Sequence, residues 1–389
     1  MKILLISTQD YIHHPIPSRH HYIFEELGKR GHEIHAAHFH VSRGDQRYTD
    51  LIIEEVTQFN FTSPMIHYVS NAPYHYYRFN QIIKKFNIDL VVGAHVLAGA
   101  AMIRAAHKNN IPVIFDLKDW FPDSAAAYFG NKLAQHIVRK SVWEITKNNL
   151  QHSNYITTVS PSLVKKLKKF NFESELIPNG VDTSLFKPLL TKNTWKKTLG
   201  INEEDYVIGF IGSIETWYGI DGLIKVMPEL LKYNPNTKLL IVGDSLFTSY
   251  ATDLKYLAID LGVNNNVIFT GAQLYKNLPK YISCMNVCTI PLLPEKWRNI
   301  ALPNKFFEYS ACNKPILMTP MPDVEAMGEG NLFVYHNQKE YISQIKNLMR
   351  HDYKFFIDAS KYDWKNRADN FEKVFNKVLA NDFKKKNGF

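Results

Sequence analysis

Short apolar runs rich in β-branched residues punctuate this chain, and nearly every one is followed by a polar loop and then a helical pattern. The runs are KILLIS, LVVGA, PVIFDL and NYITTV; after VDTSLFKPLLTKNTW they resume as YVIGFI, KLLIVG, NVIFTG, VCTIPLL, KPILM and NLFVYH. Runs this short, separated by amphipathic segments such as HHYIFEELGKRGHEI and ETWYGIDGLIKVMPELLKYNP, predict buried parallel strands joined by crossover helices. That alternation leads to a doubly wound sheet with helices on both faces. The rhythm restarts near residue 181, and 389 residues with 45% hydrophobic content suffice for two cores. We therefore expect two α/β domains, residues 1–180 and 181–362. A final amphipathic helix within 363–389 is expected to lie back on the first of them.

The loop after KILLIS contains neither GxGxxG nor GxxxxGK[ST], which removes a dinucleotide fingerprint and a P-loop and counts against a dehydrogenase. Cys284, Cys288 and Cys312 form no CxxC pair, so a disulfide framework or a cysteine zinc site finds no support and a reducing cytoplasm fits. MKILLIST is too short for a signal segment, and no apolar stretch approaches the roughly 20 residues that span a bilayer. The expected location is the cytoplasm or the inner face of the cell membrane. A net charge of +9 concentrates nucleic acids, anionic membranes and anionic ligands alike. Lysine runs such as LVKKLKKF read first as solvated faces, and the aromatic stretch HYVSNAPYHYYRF suits either a core or a lipid surface.

Loops at the carboxyl ends of parallel strands are where ligands sit in such sheets. Ser18, Arg19 and His20 are thereby candidates for contacting an acceptor or a phosphate, with an ordinary exposed loop as the alternative. His95 falls just past LVVGA and faces the same edge, although a lone histidine there is more often a purely structural hydrogen-bonder. Asp116 and Asp119 close the next run, and Gly212 and Ser213 follow YVIGFI. The richest stretch is PLLPEKWRNIALPNKFFEYSACNKPI. There Asn304 is placed to cap a helix whose first N–H groups favour an anion, and Lys305 and Glu308 share one helix face. One can meet phosphate and the other can accept from vicinal hydroxyls; the alternative is a solvated Lys–Glu pair.

Taken together, VVGAH, TTVSPSL, IPNGVDTSLFKP, IGFIGSIETWYGIDGLI, LLIVGDS, PNKFFEYSACNKPIL and the DW before the last helix resemble the retaining family 4 glycosyltransferases of the GT-B fold, over essentially the whole chain. The resemblance implies two Rossmann-like domains facing across a cleft, a UDP- or GDP-sugar donor on the second, an acceptor on the first, and neither cofactor nor metal. It assigns Glu308 to the ribose hydroxyls, the backbone from Leu302 through Asn304 to Lys305 to the diphosphate, and His95 to the transferred sugar. Gly212 and Ser213 would let phosphate approach the backbone, and Asp119 is a weaker candidate for orienting the acceptor. The expected reaction is sugar transfer to a glycan or lipid-linked hydroxyl in polysaccharide or glycolipid synthesis, with peripheral membrane contact and no nucleic-acid partner. Three departures matter. The first carboxylate of the family's pair falls on Ile300; its basic pair falls near Ser213 and Tyr218, leaving Lys305 and Arg298 to supply the charge; and PIPSRHH replaces its glycine-rich first loop. A catalytically inactive nucleotide-sugar binder and a sugar-nucleotide epimerase are the alternatives.

Overall fold

The computed structural model describes residues 1–8, 10–14, 16–41, 47–189, 193–246, 248–293, 300, 302–351 and 353–386. In order come β1 (Lys2–Ile6), α1 (Arg19–Lys29), β2 (Glu33–His38), β3 (Ile52–Glu55), α2 (Pro64–Phe86), β4 (Leu90–Gly93), α3 (Val96–Lys108), β5 (Val113–Leu117), α4 (Phe121–Ala126), α5 (Lys132–Gln151), β6 (Tyr155–Thr158), α6 (Pro161–Lys168) and β7 (Glu175–Leu176). Then follow α7 (Asn193–Thr198), β8 (Tyr206–Ile211), α8 (Ile220–Lys225), α9 (Met227–Tyr233), β9 (Thr237–Val242), α10 (Tyr250–Asp260), β10 (Val267–Phe269), α11 (Leu278–Cys284), β11 (Val287–Ile290), α12 (Asn304–Ala311), β12 (Ile316–Met318), α13 (Pro322–Glu325), β13 (Leu332–Val334), α14 (Gln338–Arg350) and α15 (Trp364–Lys386). They divide between two compact units, one of residues 1–179 with 364–389 and one of residues 180–363.

Each unit holds one parallel sheet, in the order β3-β2-β1-β4-β5-β6-β7 in the first and β10-β9-β8-β11-β12-β13 in the second. β1 lies between β2 and β4, pairing Ile3 with Ile34 on one side and with Leu90 on the other. β8 likewise lies between β9 and β11, so the crossover direction reverses at β1 and at β8. Those reversals open a crevice at the carboxyl ends of the flanking strands, which is where ligands settle in open α/β sheets. Helices cover both faces, and β4 and β5 are accordingly buried along their whole length, as LVVG and VIFDL foretold.

α15 supplies much of the first unit's core. Trp364, Phe371, Val374, Phe375 and Val378 pack among Ile3, Phe24, Leu27, Leu90 and Val92. Trp364 stacks on Tyr22 with ring centroids 5.3 Å apart, and Arg30 bridges to Asp369 at 2.5 Å and Glu372 at 2.8 Å. Burying Phe371 and Phe375 contributes roughly 1.5–3 kcal/mol each. The aromatic stretch of α2 turns mostly inward, burying His67, Tyr68, His75 and Phe79 while Met65, Ile66, Val69 and Tyr77 stay exposed. Among the described residues no helix is long and apolar enough to cross a membrane.

Candidate functional site

In the second unit β8 stops at Gly212, whose φ of 142° only glycine adopts readily. A Cβ there would fall 2.5 Å from Lys305 Cε and 2.6 Å from its Nζ, so the bare backbone is what lets the lysine lie against this turn. Gly243, after β9, has φ 140°, and a Cβ on it would meet the Gly212 carbonyl at 1.9 Å. Its N–H donates to the Gly271 carbonyl at 3.0 Å, so the turns after β8, β9 and β10 close on one another through main chain.

Lys305 comes from the first turn of α12. Pro303, extended at φ −71° and ψ 139°, occupies the cap position, and among the described residues no side chain caps the helix. Asn304, expected as the cap, is instead the first helical residue and is exposed, because the fixed φ of proline already suits the entry. The helix is hooked to the sheet from below: the Ile211 N–H donates to the Tyr309 hydroxyl at 2.9 Å, and Tyr309 is fully buried. That bond sets where Lys305 and Glu308 stand relative to β8.

Lys305 Nζ donates to the Tyr218 hydroxyl at 3.2 Å and lies 4.3 Å from the Tyr218 ring centroid and 5.4 Å from that of Phe210. Among the described residues no carboxylate forms an ion pair with it. An ammonium held by aromatic faces beside a helix start has its field still available for an anion. Glu308 is buried, and its Oε1 accepts from the Tyr275 hydroxyl at 2.8 Å. Burial pushes its carboxyl above the usual range, against the opposing pull of Tyr275 and Lys305.

Other expected residues fall around this centre. Ser213 follows Gly212 and is half-buried, Leu302 is buried just before α12, Ile300 stands where a carboxylate was sought, and Arg298 lies outside the described residues. Sequence reasoning missed Tyr275, Tyr218 as the lysine's support, and Glu215. The last is fully buried, accepting from the Leu246 N–H at 2.9 Å and the Thr248 hydroxyl at 2.8 Å, which ties the loop after β9 to the loop after β8. Its place in GSIETWYGIDG was the only signal; nothing in the string points to Tyr275.

In the first unit His95 caps α3, its Nδ1 accepting from the Ala98 N–H at 3.1 Å. The proton of the neutral ring therefore sits on Nε2. Burial, with smaller contributions from His75, Lys118 and His67, pushes His95 down to about 3, so it is a neutral N–H donor at the end of β4. Asp119 is engaged locally, accepting from the Trp120 N–H and the Ser124 hydroxyl, each at 2.7 Å, at the start of α4.

Arg19 and His20 differ from the expectation of loop residues reaching a ligand. Ser18 is the N-cap of α1, its N–H bonded to His21 Nδ1 at 2.9 Å, so both residues belong to the first helical turn. The geometry sends them inward. Arg19 Nε lies 3.1 Å from Asp116 Oδ2, and its Nη1 donates to the Ile177 carbonyl at 2.9 Å. His20 Nε2 donates to the same Asp116 oxygen at 2.9 Å, and the Thr157 hydroxyl donates to the other at 2.8 Å. Burial alone would raise the Asp116 carboxyl, but Arg19 first, then His20 and Thr157, hold it at about 2. Ser18 is buried as well, its hydroxyl 2.9 Å from His21 Nδ1.

Two parallel-sheet units with reversal points at β1 and β8, and a glycine-lysine-glutamate constellation at the second of these, define a tandem Rossmann-like α/β protein of the GT-B kind. The model for Glycosyltransferase Family 4 matches residues 20–185 and that for Glycosyl transferases group 1 matches residues 191–371, and the chain belongs to this family. It is 26% identical over 247 residues to an uncharacterised glycosyltransferase of Methanocaldococcus jannaschii, covering 57% of this chain and 59% of that one. The chain spans about half the length, or less, of the curated relatives it matches. Sucrose-phosphate synthase from Thermosynechococcus elongatus superposes with a TM-score of 0.77 at 16% identity, over 97% of this chain and 99% of that one. Anabaena HepE, solved in complex with UDP-glucose, superposes at 0.65 and 16% identity over 100% of both chains.

Proposed function

We propose that this chain transfers a sugar from a UDP- or GDP-sugar to an acceptor hydroxyl with retention of configuration, and that no metal neutralises the leaving diphosphate. The observation that carries the reading is the Lys305 ammonium, laid on the bare face of Gly212 at the opening of α12 with no carboxylate pairing it among the described residues. In the reaction the bond from the anomeric carbon to the phosphate oxygen breaks and the acceptor oxygen bonds that carbon on the same face. The acceptor's proton passes to the departing phosphate oxygen. Negative charge grows on the diphosphate as this happens, and a fixed ammonium with helix N–H groups stabilises it without reorganisation.

Glu308 accepts both ribose hydroxyls in a charge-assisted contact while Tyr275 holds the carboxylate in place. In the first unit His95, neutral with its proton on Nε2, is left able to donate a hydrogen bond to a substrate hydroxyl. HepE with bound UDP-glucose and the GDP-mannose-dependent mannosyltransferase of Corynebacterium glutamicum support the donor class. The acceptor is a glycan or lipid-linked hydroxyl of surface polysaccharide or glycolipid synthesis; the exposed Phe59, Phe61, Met65, Ile66 and Val69 around the start of α2 support working at a membrane face.

The test is the thermal midpoint in UDP, GDP, ADP and CMP, followed by donor consumption with and without a lipid-extract acceptor. A ligand of the folded state raises the midpoint by mass action. UDP or GDP should raise it for the parent and not for Lys305→Ala; no rise in the parent sinks the reading. Ile300, in place of a carboxylate, favours a second reading in which the nucleotide sugar is bound but never consumed, and the turnover arm separates the two.

A further inference from the structure

We propose that the first unit carries a site for one divalent transition-metal ion of the zinc class, built from His13, His38 and His40 at the carboxyl edge of its sheet. One ring nitrogen from each of the three lies within 4.8 Å of the other two. The rings themselves crowd together, with centroids 3.9 Å apart for His38 and His40 and 5.4 Å for His13 and His38. A tetrahedral zinc bound at about 2.0–2.1 Å needs ligand nitrogens about 3.4 Å apart, so modest ring rotations close the set. Imidazole donors suit zinc and its late first-row neighbours rather than calcium or magnesium.

A second observation points the same way. His38 is buried, and its Nε2 faces the buried Asp10 Oδ1 at 3.2 Å, so an ion on that nitrogen would meet a carboxylate oxygen beside the imidazoles. That nitrogen is the one a metal would take. The other side of the ring is already oriented, since Nδ1 donates to Glu55 Oε1 at 2.9 Å, and the second oxygen of Glu55 accepts from His40 Nε2. Carboxylates that hold the far side of a histidine are the usual support of a metal ligand. Asp10 fixes the two loops that bring the other ligands: Oδ1 accepts from the His13 N–H and Oδ2 from the Val41 N–H, both at 2.9 Å.

The set is created by strand pairing, because β2 and β3 align His38 with Glu55 while the loop after β1 delivers His13. The ion would clamp that loop to the ends of β2 and β3. Lys305 and Glu308 belong to the second unit, so the proposal stands or falls separately from the donor reading.

The test uses the full chain, stripped with EDTA and titrated with Zn²⁺ against a chromophoric chelator and with Co²⁺ by visible absorption. One equivalent should bind, and Co²⁺ should show the intense d–d bands of a four-coordinate nitrogen and oxygen site. His40→Ala, at an exposed position, and His13→Ala should each weaken binding by at least about tenfold, and Glu55→Gln by roughly 10–100-fold, with midpoints of the metal-free proteins unchanged. His336→Ala, next to Glu340 in the second unit, should leave the affinity as it is. Failure to bind an equivalent, six-coordinate Co²⁺ spectra, or affinity untouched by both His13→Ala and His40→Ala would overturn the proposal.

Discussion

The Lys305 ammonium lies 4.3 Å from the centroid of the Tyr218 ring, offset toward the hydroxyl of the same residue, to which it donates at 3.2 Å. Tyr218 occupies one of the two positions where the family resemblance leads one to expect a basic side chain, and the lysine from α12 reaches over it to fill that space. The charge is thus displaced along the sequence but not lost from the end of β8.

Removing that charge while keeping most of the stem separates electrostatics from packing. Lys305→Met should lower donor kcat/KM by about 10²-fold, or roughly 2.7 kcal/mol of transition-state stabilisation, with the melting midpoint within a few degrees of the parent. Steady-state kinetics beside differential scanning fluorimetry measures both. Unchanged turnover would remove Lys305 from the reaction.

Glu308 trades stability for grip. Its carboxyl is pushed up by burial, so the folded state binds its proton more tightly than the unfolded chain does, and stability is given up as pH rises past the unfolded value. Glu308→Gln should therefore be as stable as the parent at pH 7 or gain roughly 1 kcal/mol, about 2–4 °C, while donor KM rises about tenfold or more. A destabilised variant with normal KM would contradict both halves.

Acid should loosen the first unit. His75 is fully buried among Phe39, Tyr68 and Phe79 with both ring nitrogens unpartnered among the described residues, and burial pushes it down to about 4. A base depressed on folding contributes stability in full above its unfolded value near 6.5, lost as pH falls from there toward 4. Urea midpoints at pH 7.5 and pH 5 should show a smaller acid loss for His75→Phe than for the parent, the difference isolating this ring from the other histidines. Equal losses would show that His75 does not report on folding.

Asp116 holds a buried cation in place. Asp116→Asn leaves Arg19, with its contacts to the Ile177 carbonyl and Asn179 Oδ1, without a counter-charge and should cost about 3–5 kcal/mol in equilibrium urea unfolding. A loss below 1 kcal/mol would mean that the guanidinium finds another partner.

How much of this could be read from the string depends on distance along the chain. Strands such as LVVG and VIFDL were legible because burial on both faces leaves a continuous apolar run, and the opening of α12 was legible because proline, lysine and glutamate fall within two turns. Arg19 and His20 misled because a polar stretch after a strand looks solvated until Asp116, on β5, is known to lie beneath it. Tyr275 and Glu308 meet only through the packing of the second unit, as do His13, His38 and His40 in the first. The three cysteines, whose spacing offers no metal site, are all buried and outside any disulfide.

The return of residues 364–378 to the first unit has a consequence during synthesis. The ribosome must finish the whole intervening half before Trp364, Phe371 and Phe375 can seal the apolar surface exposed by Tyr22 and Phe24. Although it is translated first, the amino-terminal lobe is thus the last to mature, and a nascent chain stalled before residue 364 would present an open hydrophobic seam to chaperones.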